Sequence, residues 1–81
     1  MVIDAAFSKV LRQLRTERGF SQESFAGSVG IHRTYVSQLE RGLKSPSLHT
    51  IQSIARSLDI SLSELMMLLE EEMYRKDKVS V

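Results

Sequence analysis

The sequence predicts an all-α fold, five short helices packed around one core. Three observations carry this: apolar residues recur at helical spacing in successive stretches, Ser or Gly stands at each break, and no strand-like alternation occurs anywhere. Phe7, Val10, Leu11 and Leu14 fall at i, i+3, i+4 and i+7, which predicts an amphipathic first helix from about Asp4 or Ala5 to Arg18. Asp4 is placed to cap it and Gly19 to stop it. Lys9, Arg12, Arg15 and Arg18 fall largely off the stripe, so Arg12 and Arg15 are expected on a solvated basic face.

The stretch SQESFAGSVGIHRTYVSQLERG, Ser21 to Gly42, reads as two short helices hinged at a glycine. Ser21 is a good N-cap, because its hydroxyl can take an orphan backbone N–H two or three residues on. Phe25, Ala26 and Val29 form a short inward stripe, and Gly30 can adopt the positive φ that ends a helix. Ile31 then falls where a turn residue would plug the core. The next helix, about Arg33 to Arg41, has only Val36 and Leu39 as clear inward positions. Its other face carries Arg33, Thr34, Ser37, Gln38 and Arg41, the hydrogen-bonding side chains a helix needs to enter a DNA major groove and read base edges.

Leu43 to Ser47 contains the single proline, Pro46, and is expected to be a loop. Ser47 then caps a fourth helix whose inner face is expected to hold Leu48, Ile51, Ile54, Ala55 and Leu58. After a tight connection at Asp59-Ile60, Ser61 caps a fifth helix, with Glu64 placed to complete a capping box. Leu62, Leu65, Met66, Leu69 and Met73 are expected to serve the core. Met67 and Leu68 face elsewhere, so the helix is apolar nearly all round over Leu65 to Leu69. An exposed apolar patch of that kind marks an interface, and a homodimer contact is expected over Leu65, Met66, Met67, Leu68 and Met73. Methionine suits such an adaptable surface. Glu70-Glu71-Glu72 would repel anionic lipid headgroups, which argues against a membrane role.

Eighty-one residues make one domain at most. The organisation expected is a DNA-binding core over about 4–60, a dimerisation helix over 61–74 and a frayed tail over 75–81. Net charge is only +1, but Met1 to Leu58 holds eight Lys and Arg against four Asp and Glu, whereas Asp59 to Val81 holds three against six. The basic part therefore coincides with the proposed groove-reading helix, the concentration of field that phosphate binding uses. The chain has no cysteine, hence no disulfide and no thiolate metal site, which fits a reducing cytoplasm. MVIDAAF lacks the pattern of a signal peptide, and the apolar run Leu65 to Leu69 is far too short to span a bilayer. His32 and His49 have no cysteine partners and no metalloprotease spacing. The serines sit at cap positions, and no Gly-rich phosphate loop occurs. No catalytic site, metal or cofactor is expected.

The strings LRQLRTERGFSQESFA, GIHRTYVSQLERG and SPSLHTIQSIARSLDISLSEL, in this order and spacing, resemble the Xre-type, phage-repressor-like helix-turn-helix family over about Phe7 to Leu65. The resemblance implies the five-helix repressor fold, binding palindromic operator DNA as a two-fold dimer. Arg33-Thr34-Tyr35-Val36-Ser37, in a short chain with a C-terminal helix reserved for dimerisation, further resembles the controller proteins of restriction-modification systems. His32 stands where the family has a small polar cap.

Carried over position by position, Ser21 and Gln22 abut the DNA backbone, where a helix N-terminus offers N–H groups and a positive dipole to phosphate; the alternative for Ser21 is a cap alone. Arg33 is the leading base reader, since a guanidinium grips guanine O6 and N7 with two bonds; its alternative is a phosphate clamp. Thr34 and Ser37 are small enough to approach either base edges or phosphate, and Gln38 can reach a base edge. Tyr35 either touches the DNA backbone or packs on the domain. Glu40 and Arg41 are expected to pair internally, with Arg41 also near phosphate, and Lys44 is expected on phosphate. The function implied is a homodimeric transcription regulator binding upstream of its own gene, which as an activator would also touch RNA polymerase. The competing reading is a phage-type repressor or an antitoxin whose C-terminal helix covers a partner protein.

Overall fold

The computed structural model describes residues 3–79. They form α1 (Ile3–Glu17), α2 (Gln22–Val29), α3 (Arg33–Glu40), α4 (Leu48–Ser57) and α5 (Leu62–Val79), with no strand among the described residues. The packing closes into a ring: α1 lies on α3, α3 on α2, α2 on α4, α4 on α5, and α5 back on α1. Each helix turns one stripe inward, and Leu11, Phe25, Val36, Leu39, Ile54, Leu58 and Leu65 are fully buried where the stripes meet. Burying each such side chain stabilises the fold by roughly 1.5–3 kcal/mol. Phe20 packs edge-on against Phe25, ring centroids 5.4 Å apart, closing the core at the start of α2.

The caps are largely those the serines announce. The Ser21 Oγ accepts from Ser24 N at 3.0 Å, and the Ser24 hydroxyl completes the box by accepting from Ser21 N at 3.0 Å. Ser47 accepts from Thr50 N at 3.1 Å, and Ser61 from Glu64 N at 3.0 Å. Gly30 ends α2 at φ 88°. All four breaks share one geometry: Phe20 N donates to Arg15 O, Ile31 N to Ala26 O, Leu43 N to Gln38 O and Ile60 N to Ala55 O, the last two across Gly42 at φ 71° and Asp59 at φ 58°. Such closures seat the following residue on the helix they end when an apolar partner waits there. Ile60 packs against the core in this way, but Leu43 stays 60% exposed.

Several expectations are corrected. Helix α1 already includes Ile3, so Asp4 lies inside its first turn instead of capping it; its Oδ1 accepts from the Ser45 hydroxyl at 2.6 Å, tying α1 to the 43–47 loop. Leu48 is not a core residue but 80% exposed, and Leu62 is also exposed. Each is the first residue of its helix, where the side chain projects past the end of the core. Arg15 is buried, for reasons that belong to the site below. Leu65, expected at an interface, is wholly enclosed by the protomer's own core and is not available to a partner. Helix α5 runs to Val79, beyond the expected end at 74, because nothing from Tyr74 onward breaks a helix; the last two residues of the expected tail lie outside the described residues.

Candidate nucleic-acid interface

The N-terminus of α2 and the first residue of α3 meet at an open cleft beside the residues that the sequence assigned to DNA. Ser21, Gln22, Glu23, Ser24 and Arg33 line this cleft of about 680 Å³. Two short connections make the meeting possible. The Gly30 turn reverses the chain within three residues of the end of α2, and Val36 and Leu39 then pin α3 against the core. With those two inward, Arg33 and Thr34 are exposed, and Ser37 and Gln38 are half-exposed farther along the helix. Tyr35 packs partly against the core and is half-exposed, which is compatible with either of its two readings. His32 makes no side-chain cap bond, yet α3 starts at Arg33, because the His32 carbonyl accepts from both Tyr35 N and Val36 N.

The position of α3 is fixed by a buried ion pair that sequence reasoning missed. Arg15 donates through Nε and Nη2 to the two carboxylate oxygens of Glu40, and through Nη1 to Phe20 O at 2.7 Å. Gln22 adds Nε2 to Glu40 Oε1 at 3.1 Å. The side chains of Arg15 and Glu40 are only 10% and 4% exposed. Bidentate Arg–carboxylate geometry of this kind is directional as well as strong. It links α1, the turn before α2, α2 itself and the last residue of α3, so it orients the helix that faces DNA. Glu40 thus pairs with Arg15 and not with its neighbour Arg41, which caps α3 and is exposed. The sequence signal was available in principle: Arg15 directly follows Leu14 and borders the apolar stripe.

The network also constrains Gln22. One N–H of its amide is committed to Glu40, leaving the second N–H and the amide oxygen to act in the cleft. Glu23, not anticipated as a site residue, puts a carboxylate in the same cleft as Arg33. Around them the cations are available: Arg33, Arg41 and Lys44 are exposed, and among the described residues none is in an ion pair. The expected dimer residues are not brought together. Met66, Leu68 and Met73 are half-buried against the core and Met67 is 57% exposed. Among the described residues no helix is long and apolar enough to cross a membrane, and no three His, Asp or Glu side chains form a group that could hold a metal ion.

Two short helices crossing at a glycine turn, the second outward-facing and polar, define a helix-turn-helix unit. Residues 11–65 match the helix-turn-helix family, and the chain belongs to it. Members of this family are DNA-binding transcription regulators. Among curated relatives, the control protein C.MunI of Mycoplasma sp is 41% identical over 71 residues, covering 86% of this chain and 96% of that protein. The restriction-modification controller protein C.AhdI of Aeromonas hydrophila superposes with a TM-score of 0.74 at 44% identity, over 76% of this chain and 94% of that one. A third likeness is to the controller C.Esp1396I, solved as a tetramer with its natural 35 base-pair operator. It has a TM-score of 0.83 at 26% identity and covers 91% of this chain and 97% of that one.

Proposed function

We propose that this chain is a homodimeric, sequence-specific transcription regulator of the restriction-modification controller kind, binding a two-fold operator upstream of its own gene. The observation that carries this reading is the cleft itself. It sets the α2 N-terminus and Arg33 side by side, with the exposed and unpaired Arg41 and Lys44 on the same unit.

In this reading residues 4–60 form the DNA-binding core and α5 supplies dimer contacts. The α2 N-terminus, with Ser21 and Gln22, receives a phosphate. Tyr35, Arg41 and Lys44 hold further backbone positions, while Arg33, Thr34, Ser37 and Gln38 read base edges. Two copies present their α3 helices to major grooves about 34–36 Å apart. The protein works in the cytoplasm and turns over no substrate. Where the operator adjoins a promoter, the bound dimer also meets RNA polymerase.

A gel-shift titration against DNA upstream of the gene, with random duplex as competitor, tests the reading. Tight, cooperative binding that resists competitor is expected. Arg33→Ala should cost about 1–3 kcal/mol and relax preference at one base pair. Equal loss on every sequence would reassign Arg33 to the phosphate backbone. Wild-type binding no tighter to the upstream DNA than to random duplex would overturn the proposal.

A further inference from the structure

Residues 43–47 join α3 to α4 across the surface, and the core does little to hold them. Leu43, Lys44, Ser45 and Ser47 are exposed, and only Pro46 among them is half-buried. The loop is fixed at its two ends, by Leu43 N donating to Gln38 O at 3.0 Å and by the Ser47 Oγ accepting from Thr50 N at 3.1 Å. Between those ends one hydrogen bond is made, from the Ser45 hydroxyl to Asp4 Oδ1 at 2.6 Å. Gly42, just before the loop, runs close along the start of α1: a Cβ there would lie 3.7 Å from Asp4 O and from the Ala5 Cα. The first turn of α1 is therefore the wall on which the loop rests. Lys44 is next in the chain to Ser45, yet Asp4 makes no ion pair with it. The carboxylate holds the neutral hydroxyl and leaves the ammonium free.

We infer that Asp4 is a positioning residue for DNA binding: through the Ser45 hydroxyl it holds the 43–47 loop on α1, so that Lys44 meets phosphate from a loop already in place. The inference rests on the DNA-binding reading above and adds to it a residue outside the helix-turn-helix unit. A loop that must be ordered on binding lowers affinity by the entropy it gives up, and a loop ordered beforehand does not. One bond suffices here because Ser45 precedes a proline, which already confines its backbone to extended conformations. By charge alone a carboxylate beside Lys44 would oppose phosphate. The two roles of Asp4 therefore predict opposite signs when it is changed.

Fluorescence anisotropy with a labelled duplex from upstream of the gene, titrated with the full chain at two salt concentrations, tests this. Ser45→Ala should weaken binding about fivefold, the effect of one exposed hydrogen bond to a charged group, and lower the salt slope toward that of Lys44→Ala. In a Lys44→Ala background the same change should cost less than about twofold, because the loop then has no ammonium to present. Asp4→Asn keeps an acceptor for the hydroxyl and should bind at least as tightly as the wild type, whereas Asp4→Ala should bind about threefold more weakly. These are surface changes, so melts of Ser45→Ala and Asp4→Asn should stay within about 4 °C of the wild type. Tighter binding by Asp4→Ala and Asp4→Asn alike would mean that Asp4 acts through its charge only, and overturns the inference. Wild-type affinity in Ser45→Ala, or an equal loss with and without Lys44, overturns it too; in each case the DNA-binding reading stands. A wild type that binds this duplex no tighter than a random one overturns both.

Discussion

Replacing Glu40 by Gln keeps the size of the side chain and removes its charge, which isolates what the buried pair with Arg15 contributes. Three donors converge on this carboxylate, from Arg15 Nε, Arg15 Nη2 and Gln22 Nε2. An amide would replace one acceptor oxygen with another donor and leave the Arg15 guanidinium buried with only Phe20 O as a full partner. Breaking one side of a buried ion pair costs about 3–5 kcal/mol, and with the two side chains 10% and 4% exposed, water offers little compensation. A chain of 81 residues has a total stability of roughly 4–12 kcal/mol. The loss is therefore a large fraction of the whole, a fall in melting temperature of at least about 12 °C at about 4 °C per kcal/mol. Thermal and urea melts followed by circular dichroism would measure it. Arg15→Met with Glu40→Leu should be less destabilised than the sum of the single changes by at least about 2 kcal/mol, because no charge is then left unpaired. Recovery stays incomplete, since Phe20 O and Gln22 lose partners as well. If Glu40→Gln melts within about 4 °C of the wild type, the pair contributes no more than a surface ion pair, and the claim that it fixes α3 is wrong.

Two smaller tests address the turn and the phosphate contacts. Asp59 holds φ 58° with its side chain exposed, so Asp59→Val should cost about 1–2 kcal/mol through backbone strain alone; an unchanged melt would mean the turn is not held in that conformation. Lys44→Ala should weaken binding to every duplex alike and reduce the slope of log affinity against log salt by about 1, whereas loss confined to one operator sequence would make Lys44 a base reader.

Local chemistry determined most of the chain's course. Ser21, Ser47 and Ser61 cap the helices the sequence assigns them, and Gly30 ends α2 at the positive φ expected of it. Phe7, Val10, Leu11 and Leu14 are buried as their spacing requires. The outward polar face of α3 was legible for the same reason: periodicity fixes the angle of each side chain around its own helix. It does not say what lies opposite that angle. Arg15 sits on the border of its stripe, and only the approach of α3, 25 residues later, supplies the carboxylate that lets it be buried. Leu48 shares the stripe of Ile51 and Ile54, yet α4 begins at Leu48 and the core ends behind it, leaving the side chain in the open. Leu65 and Met67 stand two residues apart in one apolar run, and only the packing of α5 on α1 and α4 encloses the first and exposes the second. The sequence by itself determined where α2, α3 and α4 start and stop and which side each helix turns inward, because those are matters of neighbours a few residues apart. Which borderline residues are buried, and so where a charge pair or an apolar surface is left to act, was decided by tertiary structure, because burial depends on neighbours far apart along the chain.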